Sequence, residues 1–436
     1  MSSGETADED DAHEFAVAFG RGQFTTAVGL LSEDGHEQLV ASYPDQFQDG
    51  ELEPTAALEA YWRGLYNQYG EFVDVGAITV DDADVMVELC FVDGVERATL
   101  EFDEDGVADL EFDPAYEVPD YVDHGAFSER NVMVDTEDSE LAGVLAVPDS
   151  DCPVPGVVLV HGHGIHDPNG TVGATKILRD LAWGLASNGI ATLRYEKRLN
   201  SADVPDDEYT LDTVVTDDAV AAMSTLADAD DIAADSVFVA GHSQGGLCAP
   251  RIASRYGDAA GVVVLDGTAD PVVDPDNLTW LRYSLDVDGV LDDEQEAEFE
   301  AMRETFRRIA DCEFEPDETI RGFPGVWHQS HHDYDPVGTA SDLAAPTFVL
   351  KTDRTDPERQ PELAEMVRDH YETWQSADLP PGSRTEYYEG IGHYFQPGPA
   401  PVTQTRLFFG GNVADAIIED ITEWVLETQS RATESE

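Results

Sequence analysis

The sequence predicts an α/β fold with a doubly wound, mostly parallel sheet, preceded by a small α+β domain. Beyond residue 130, short apolar runs alternate with amphipathic helical stretches. One of these runs ends in Gly241-His242-Ser243-Gln244-Gly245 and is followed by helix-forming residues. Short buried strands separated by helices are typical of a parallel sheet that is covered on both faces. This fold places a serine at the carboxyl edge of the sheet.

The chain is strongly acidic and long enough for two domains. Its 436 residues include 92 Asp and Glu against 23 Lys and Arg, a formal charge of −69, and only three lysines. Apolar runs at strand and helix spacing distinguish it from an acidic disordered protein. The composition is typical of halophilic proteins, and it makes nucleic acid and anionic membranes poor partners.

We expect the melting temperature to rise steeply between dilute buffer and molar potassium or sodium chloride. Like charges repel one another in the compact state, and the screening length falls from about 30 Å at 0.01 M to about 3 Å at 1 M salt. Thermal unfolding followed by circular dichroism over that range measures the effect. A melting temperature indifferent to salt would contradict the expectation.

The ends of the chain and its cysteines carry few signals. Residues 1–12 are acidic without the basic start and apolar core of a signal peptide, so they are predicted to be disordered and the protein cytoplasmic. A flexible tail is predicted at residues 430–436. Four cysteines without CxxC spacing favour reduced thiols over a metal or disulfide framework: Cys90, Cys152, Cys248 and Cys312.

Residues 13–115 form the predicted α+β domain. Apolar residues recur at helical spacing around Phe15 and again over residues 56–69. Alternating strands follow at residues 85–92, 95–102 and 107–112, separated by Asp-Gly turns. Ionisable groups do not gather there at catalytic spacing. A structural or interaction role is favoured, and a ligand-binding cone stays open as the alternative.

Residues 116–429 form the predicted catalytic domain. Its strands and helices alternate regularly as far as a strand at 261–265. The stretch of about 271–330 breaks this alternation with an acidic helix around residues 294–309 before the strands resume at 347–350. We interpret it as a lid inserted over the strand ends.

Ser243 is the predicted nucleophile. A serine at the tip of a sharp strand-to-helix turn is exposed, and flanking glycines are needed because a side chain there would collide with neighbouring elements. The turn also aims the backbone N–H of Gln244 and the positive end of the following helix at the attacked group. An ordinary glycine-rich loop is the less specific alternative.

The loop His161-Gly162-His163-Gly164-Ile165-His166-Asp167 follows a long apolar strand. In a sheet that carries an elbow serine, this loop is the expected source of the second oxyanion donor, the N–H of His163 or Gly164. Its three histidines could instead indicate a metal, as could the histidines of residues 327–335. The oxyanion role is favoured for the first group, the spacing of the second matches no standard zinc site, and we predict no metal.

His393 is the predicted general base, because it lies on a glycine-rich loop after the last strand and follows the serine in chain order. The acid is expected after the strand at 347–350, where the chain reads Lys351-Thr-Asp-Arg-Thr-Asp-Pro357. Asp356 is favoured there. Asp353 and Asp270 are the alternatives.

The chain resembles α/β-hydrolases of the esterase type, through Val157-Val-Leu-Val-His-Gly-His-Gly164, Leu193-Arg-Tyr-Glu-Lys-Arg198 and Gly241-His-Ser-Gln-Gly-Gly-Leu-Cys-Ala-Pro-Arg-Ile252. It is similar to dienelactone hydrolases and prolyl-oligopeptidase catalytic domains, with an N-terminal domain that resembles cystatin or NTF2-like folds. The family's Gly-x-x-Asp pattern, applied from Thr352, reaches Thr355 rather than an aspartate. Asp356 then requires a loop longer by one residue.

The resemblance implies a serine hydrolase that cleaves small carboxylic esters, with short chains as the default. A Ser-His-Asp triad would act through an acyl-enzyme, without a cofactor. A serine peptidase or an acyltransferase would share every one of these residues. A non-catalytic ligand-binding protein of the same fold is the third possibility.

Overall fold

The computed structural model describes residues 5–47, 52–81 and 84–435. The chain divides into two compact units. The first comprises Met1–Glu117 together with the later segments Val172–Thr175 and Gly398–Gly411. The second comprises Val118–Thr171, Lys176–Pro397 and Asn412–Glu436. Two short returns of the chain therefore belong to the first unit, which sequence patterns did not indicate.

The first unit packs four helices on an antiparallel sheet of order β1-β2-β3-β4. Its apolar core includes Phe15, Phe19, Tyr61 and Leu65. Its elements are α1 (Glu5–Gly20), α2 (Phe24–Val28), α3 (Glu33–Ser42), α4 (Pro54–Tyr69), β1 (Phe72–Asp81), β2 (Asp84–Phe91), β3 (Val95–Phe102) and β4 (Val107–Phe112).

Helices cover much of the two terminal segments that were predicted to be disordered or flexible. Helix α1 begins at Glu5 and its Ala12 is fully buried, because the later part of this acidic segment has an apolar face to pack. Residues 1–4 lie outside the described residues. At the other end the last helix extends to Ser435, through most of the predicted tail. Strand β1 was not predicted, and the resemblance of this unit to cystatin or NTF2-like folds stays a prediction.

The chain continues with an alternation of strands and helices. The strands are β5 (Phe127–Asp135), β6 (Glu140–Pro148), β7 (Val154–Val160), β8 (Thr171–Val172), β9 (Thr175–Lys176), β10 (Ala191–Tyr195), β11 (Ile232–His242), β12 (Gly261–Leu265), β13 (Thr319–Ile320), β14 (Phe323–Pro324), β15 (Thr347–Asp353) and β16 (Arg384–Glu389). The helices are α5 (Ile177–Ser187), α6 (Asp217–Ala227), α7 (Gln244–Tyr256), α8 (Thr279–Leu285), α9 (Asp293–Ala310), α10 (Gly325–His332), α11 (Pro336–Asp342), α12 (Pro361–Ser376) and α13 (Asp415–Ser435).

The second unit is built on an eight-stranded sheet of order β16-β15-β12-β11-β7-β10-β6-β5. Strand β6 pairs antiparallel with both of its neighbours, and the remaining pairs are parallel. Separate apolar clusters cover its two faces, one including Val239 and Ile252 and the other Phe238 and Ile418. The predicted α/β class with a mostly parallel sheet is confirmed.

The register of the central strands sets the position of the site. His242 at the end of β11 lies opposite Leu265 at the end of β12, and Leu265 lies opposite Leu350 of β15. The residues that follow these three, Ser243, Asp266 and Lys351, therefore emerge at one edge of the sheet.

Helices α8, α9 and α10 and the β13–β14 hairpin occupy the segment predicted to be a lid. It has an apolar cluster of its own, centred on Leu281, Phe299 and Phe306. Asp292 caps the first turn of α9 in a reciprocal capping box with Gln295. Across the described ranges of the chain, no helix is both long enough and apolar enough to cross a membrane.

Candidate active site

Ser243 adopts the strained backbone expected of an elbow, with φ 55° and ψ −114°. A Cβ on Gly241 would lie 2.0 Å from the carbonyl oxygen of Gly245, and one on Gly245 would lie 2.6 Å from the carbonyl oxygen of His161. Both distances are impossible contacts, so the two glycines let β11 turn directly into α7. The Ser243 N–H donates to the carbonyl of Leu265 at 2.9 Å, which ties the turn to β12.

His393 follows β16 and meets a carboxylate. Its Nδ1 lies 2.5 Å from Oδ2 of Asp266. Because Nδ1 donates to that oxygen, Nε2 is left to exchange a proton elsewhere. His242 supports the same loop, since its Nε2 donates to the His393 carbonyl at 2.9 Å and the two rings are 4.8 Å apart. Burial, and next the His393 charge, lower the pKa of His242 to about 3, so it stays neutral.

Asp266 is buried at the end of β12, with a positive φ of 50°. Lys351 Nζ lies 2.5 Å from its Oδ1, and the Thr352 hydroxyl donates to its Oδ2 at 3.0 Å. Burial alone would raise the pKa of this carboxyl, but Lys351 and the hydrogen bond from His393 outweigh burial and hold it well below its ordinary value. Asp266 is therefore ionised at neutral pH.

The acid predicted from the sequence is thus not the carboxylate beside His393. Asp356 Oδ1 accepts from the backbone N–H groups of Glu358 and Arg359 in a local turn. Asp353 accepts from the Tyr387 hydroxyl at 2.5 Å and from Thr355.

Asp270, the other alternative, is exposed. Strand β15 contributes to this site through Lys351 and Thr352, which contact the Asp266 carboxylate, and not through an aspartate of its own. The extra loop residue invoked for Asp356 is unnecessary.

Three sequence signals could have indicated Asp266. It directly follows the buried strand Gly261–Leu265, which is the next strand in the chain after the one that leads into Ser243. A glycine follows it, and a Cβ on Gly267 would lie 2.6 Å from the backbone carbon of Gly246. A lysine inside the buried strand β15 also required a buried carboxylate partner.

The loop after β7 lies against Ser243. A Cβ on Gly162 would lie 3.3 Å from the Cβ of Ser243. Lys197 Nζ donates to the Gly162 carbonyl at 2.7 Å and to Gln244 Oε1 at 3.0 Å. In a trans peptide the N–H points away from the C=O, so this bond orients the N–H of His163.

Within the described ranges, neither the His163 nor the Gln244 backbone N–H has a hydrogen-bond acceptor. Both remain available as donors. Lys197, which sequence reasoning did not include in the site, is buried, and burial lowers its pKa to about 8.

Several of the histidines considered as metal ligands make other contacts. His163 Nδ1 lies 3.2 Å from the Gln244 side-chain amide, and His166 Nε2 lies 2.7 Å from the His163 carbonyl. Burial lowers the pKa of both rings. His331 contacts the carbonyl of Trp327 at 2.8 Å. Among the residues that the structure describes, no three His, Cys, Asp or Glu side chains are grouped to hold a metal ion.

A cavity of about 350 Å³ opens beside the elbow. His163 and Gln244 line it together with residues of the lid segment, including Phe306, Phe323 and Trp327. A larger cavity of about 510 Å³ lies elsewhere, lined by residues of α8, α9 and the start of α12, and it includes none of the predicted site residues. The smaller cavity is the one that adjoins the elbow, through Gln244.

The alpha/beta hydrolase family profile matches residues 157–405, from the strand before the His163 loop to beyond His393. The chain belongs to the alpha/beta hydrolase family. Among curated relatives, Esterase EstD of Thermotoga maritima is 29% identical over 383 residues, covering 85% of this chain and 87% of that protein.

Solved structures of low sequence identity align with about 70% of this chain. Est1E from Butyrivibrio proteoclasticus is 16% identical, with a TM-score of 0.42 over 69% of this chain and 99% of its own. The hyperthermophilic esterase from Pyrobaculum calidifontis is 14% identical, with a TM-score of 0.43 over 70% of this chain and 86% of its own.

Proposed function

We propose that this hydrolase is a serine esterase that cleaves small carboxylic esters, with Ser243 as nucleophile, His393 as general base and Asp266 as the acid. The observation that carries the proposal is the His393–Asp266 hydrogen bond, at the edge of the sheet where Ser243 stands in a strained turn. The similarity to EstD, which extends over most of both chains, supports an ester as the substrate.

Acylation uses the free nitrogen of His393. Its Nε2 takes the proton of the Ser243 hydroxyl while Oγ bonds to the ester carbonyl carbon. The carbonyl oxygen becomes an oxyanion that accepts hydrogen bonds from the N–H groups of Gln244 and His163. The carbon–oxygen bond to the leaving alcohol then breaks, and His393 returns its proton to that oxygen. Asp266 stabilises the imidazolium formed between these transfers.

Deacylation repeats the same transfers with water. His393 takes a proton from a water molecule whose oxygen bonds to the acyl carbon. The bond to Ser243 Oγ breaks, Oγ regains the proton and the carboxylic acid leaves. The proposed residues of this chain supply the proton transfers of both acylation and deacylation.

Replacing Lys197 with Met is expected to lower kcat about tenfold, because the Gly162–His163 peptide loses the group that orients its N–H toward the oxyanion. Since its pKa is about 8, Lys197 is charged below that pH and neutral above it. We therefore expect kcat of the wild type to decline above about pH 8, and this decline to be absent in Lys197→Met. Initial rates from pH 6 to 10 measure both effects. An alkaline decline that persists unchanged in the variant would contradict this role.

Labelling with a fluorophosphonate probe in molar salt, followed by peptide mapping, tests the proposed function directly. The expected result is one labelled residue, Ser243, and turnover of ethyl or 4-nitrophenyl esters by the unlabelled protein. Hydrolysis of matched amides in preference to esters would indicate a peptidase. Label at another residue, or no turnover of any ester, would overturn the proposal. The halophilic and cytoplasmic character expected from composition stays a prediction.

A further inference from the structure

The cavity lined by His163 and Gln244 has no carboxylate in its lining. Twelve residues line it, and none is Asp or Glu, in a chain where 92 of 436 residues are acidic. The larger cavity differs, because Asp276, Asp288, Glu358 and Glu362 line it alongside three arginines. Freedom from negative charge is therefore a property of this site and not of every cavity in the protein.

Arg321 is the cation in this lining. It forms, with Gly322, the two-residue turn between β13 and β14, and both residues have positive φ, 52° and 81°. Its guanidinium lies over the ring of Phe306, 4.5 Å from the centroid, and much of the side chain remains exposed to the cavity opening and solvent.

Arg321 differs from the other arginines of the lid segment in its ion pairing. Within the described ranges, no carboxylate lies within ion-pair distance of its guanidinium. Four other arginines of the same segment each pair with a glutamate: Arg282, Arg303, Arg307 and Arg308. Arg321 is thus left to pair with a group from outside the protein.

The three histidines in the lining add no charge at neutral pH. Burial lowers the pKa of His163 and of His331 to about 4, and it also lowers the pKa of His328. The charge of Arg321 contributes further to the lowered pKa of His163 and of His328. Arg321 therefore carries the formal charge of this cavity.

We propose that Arg321 binds a carboxylate on the acyl part of the substrate, so that the preferred substrates are half-esters of short dicarboxylic acids. The inference rests on the esterase function proposed above. In this arrangement the acyl carbonyl oxygen would accept from the N–H groups of His163 and Gln244, and the acyl chain would occupy the cavity that these two residues line together with Arg321. A guanidinium binds a carboxylate through two parallel hydrogen bonds.

The charge of the whole chain bears on how an anionic substrate would be bound. A protein of formal charge −69 repels anionic ligands over long distances at low salt. Molar salt screens this repulsion to about 3 Å, whereas a direct contact between a guanidinium and a carboxylate persists in part. An arginine in a pocket without carboxylates can thus distinguish an anionic ligand from a neutral one at molar salt, where the screened charges of the surface cannot.

The test measures kcat/KM for two series of esters in a pH-stat, at a single salt concentration in the molar range. The half-esters are monoethyl succinate, glutarate and adipate, and the neutral esters of equal chain length are ethyl butanoate, pentanoate and hexanoate. We expect the wild type to prefer at least one half-ester over the neutral ester of equal chain length. Arg321→Met should lower this ratio of kcat/KM about 10- to 100-fold, and Arg321→Lys should retain part of it. Arg308→Met, which removes a lid arginine outside the cavity, should leave the ratio unchanged.

A binding measurement separates failure of this inference from failure of the esterase function. Calorimetric titration of monoethyl glutarate into Ser243→Ala and into Ser243→Ala/Arg321→Met reports the pocket without turnover. Weaker binding to the double variant supports the carboxylate site even where the wild type hydrolyses no ester. Equal binding to both variants, or a kcat/KM ratio that Arg321→Met leaves intact, overturns it.

Discussion

Ser243→Ala is expected to reduce ester hydrolysis by about 10⁴- to 10⁶-fold, to a level set by the oxyanion donors alone. The variant removes the atom that becomes bonded to the acyl carbon, so no acyl-enzyme can form. Its melting temperature should stay near that of the wild type, because the side chain lies in a partly exposed turn and alanine keeps the same Cβ at φ 55°. Steady-state kinetics and thermal unfolding in molar salt measure the two effects.

A matched control is available on the neighbouring strand end. Thr268 follows β12 on the same edge, and its hydroxyl donates to the Asp270 carbonyl and accepts from the Asp270 N–H. Thr268→Ala therefore removes a hydroxyl without touching the proposed triad, and kcat should change by less than about threefold. Turnover by Ser243→Ala at the wild-type rate would end the nucleophile assignment.

Asp266→Asn is expected to lower kcat by about 10²- to 10⁴-fold with a small change in KM. The amide no longer stabilises the imidazolium or fixes the tautomer in which Nδ1 of His393 carries the proton. The variant should also be less stable, because Lys351, which is 9% exposed, loses its counter-charge. Kinetics below the melting transition separate the two effects.

Two further variants isolate the catalytic part of that loss. Asp266→Asn/Lys351→Met removes the unpaired ammonium, so it should recover stability while kcat stays low. Asp356→Asn removes the carboxylate favoured from the sequence, and it should change kcat by less than about threefold. Full activity of Asp266→Asn with loss of activity in Asp356→Asn would reverse the assignment.

The comparison of Ser243 with Asp266 shows what sequence reasoning could reach. The elbow is local, because its glycines, strand and helix are adjacent in the chain and each has a steric reason. The acid depends on a contact across 127 positions, between the end of β12 and the loop after β16. In a chain with 92 acidic residues, a carboxylate near a strand end carries little information by itself.

Local patterning therefore determined the α/β class, the three strands of the first unit from β2 to β4, and the positions of Ser243 and His393 as candidates. Apolar periodicity and turn residues act over a few neighbours, so the sequence alone displays them. Only the tertiary structure decided which carboxylate meets His393, that Lys197 orients the His163 peptide, and that Arg321 lies in a cavity without acidic residues. These outcomes depend on strand order and register, which bring residues distant in the chain to one edge of the sheet. There Lys351 and His393 keep the buried Asp266 charged.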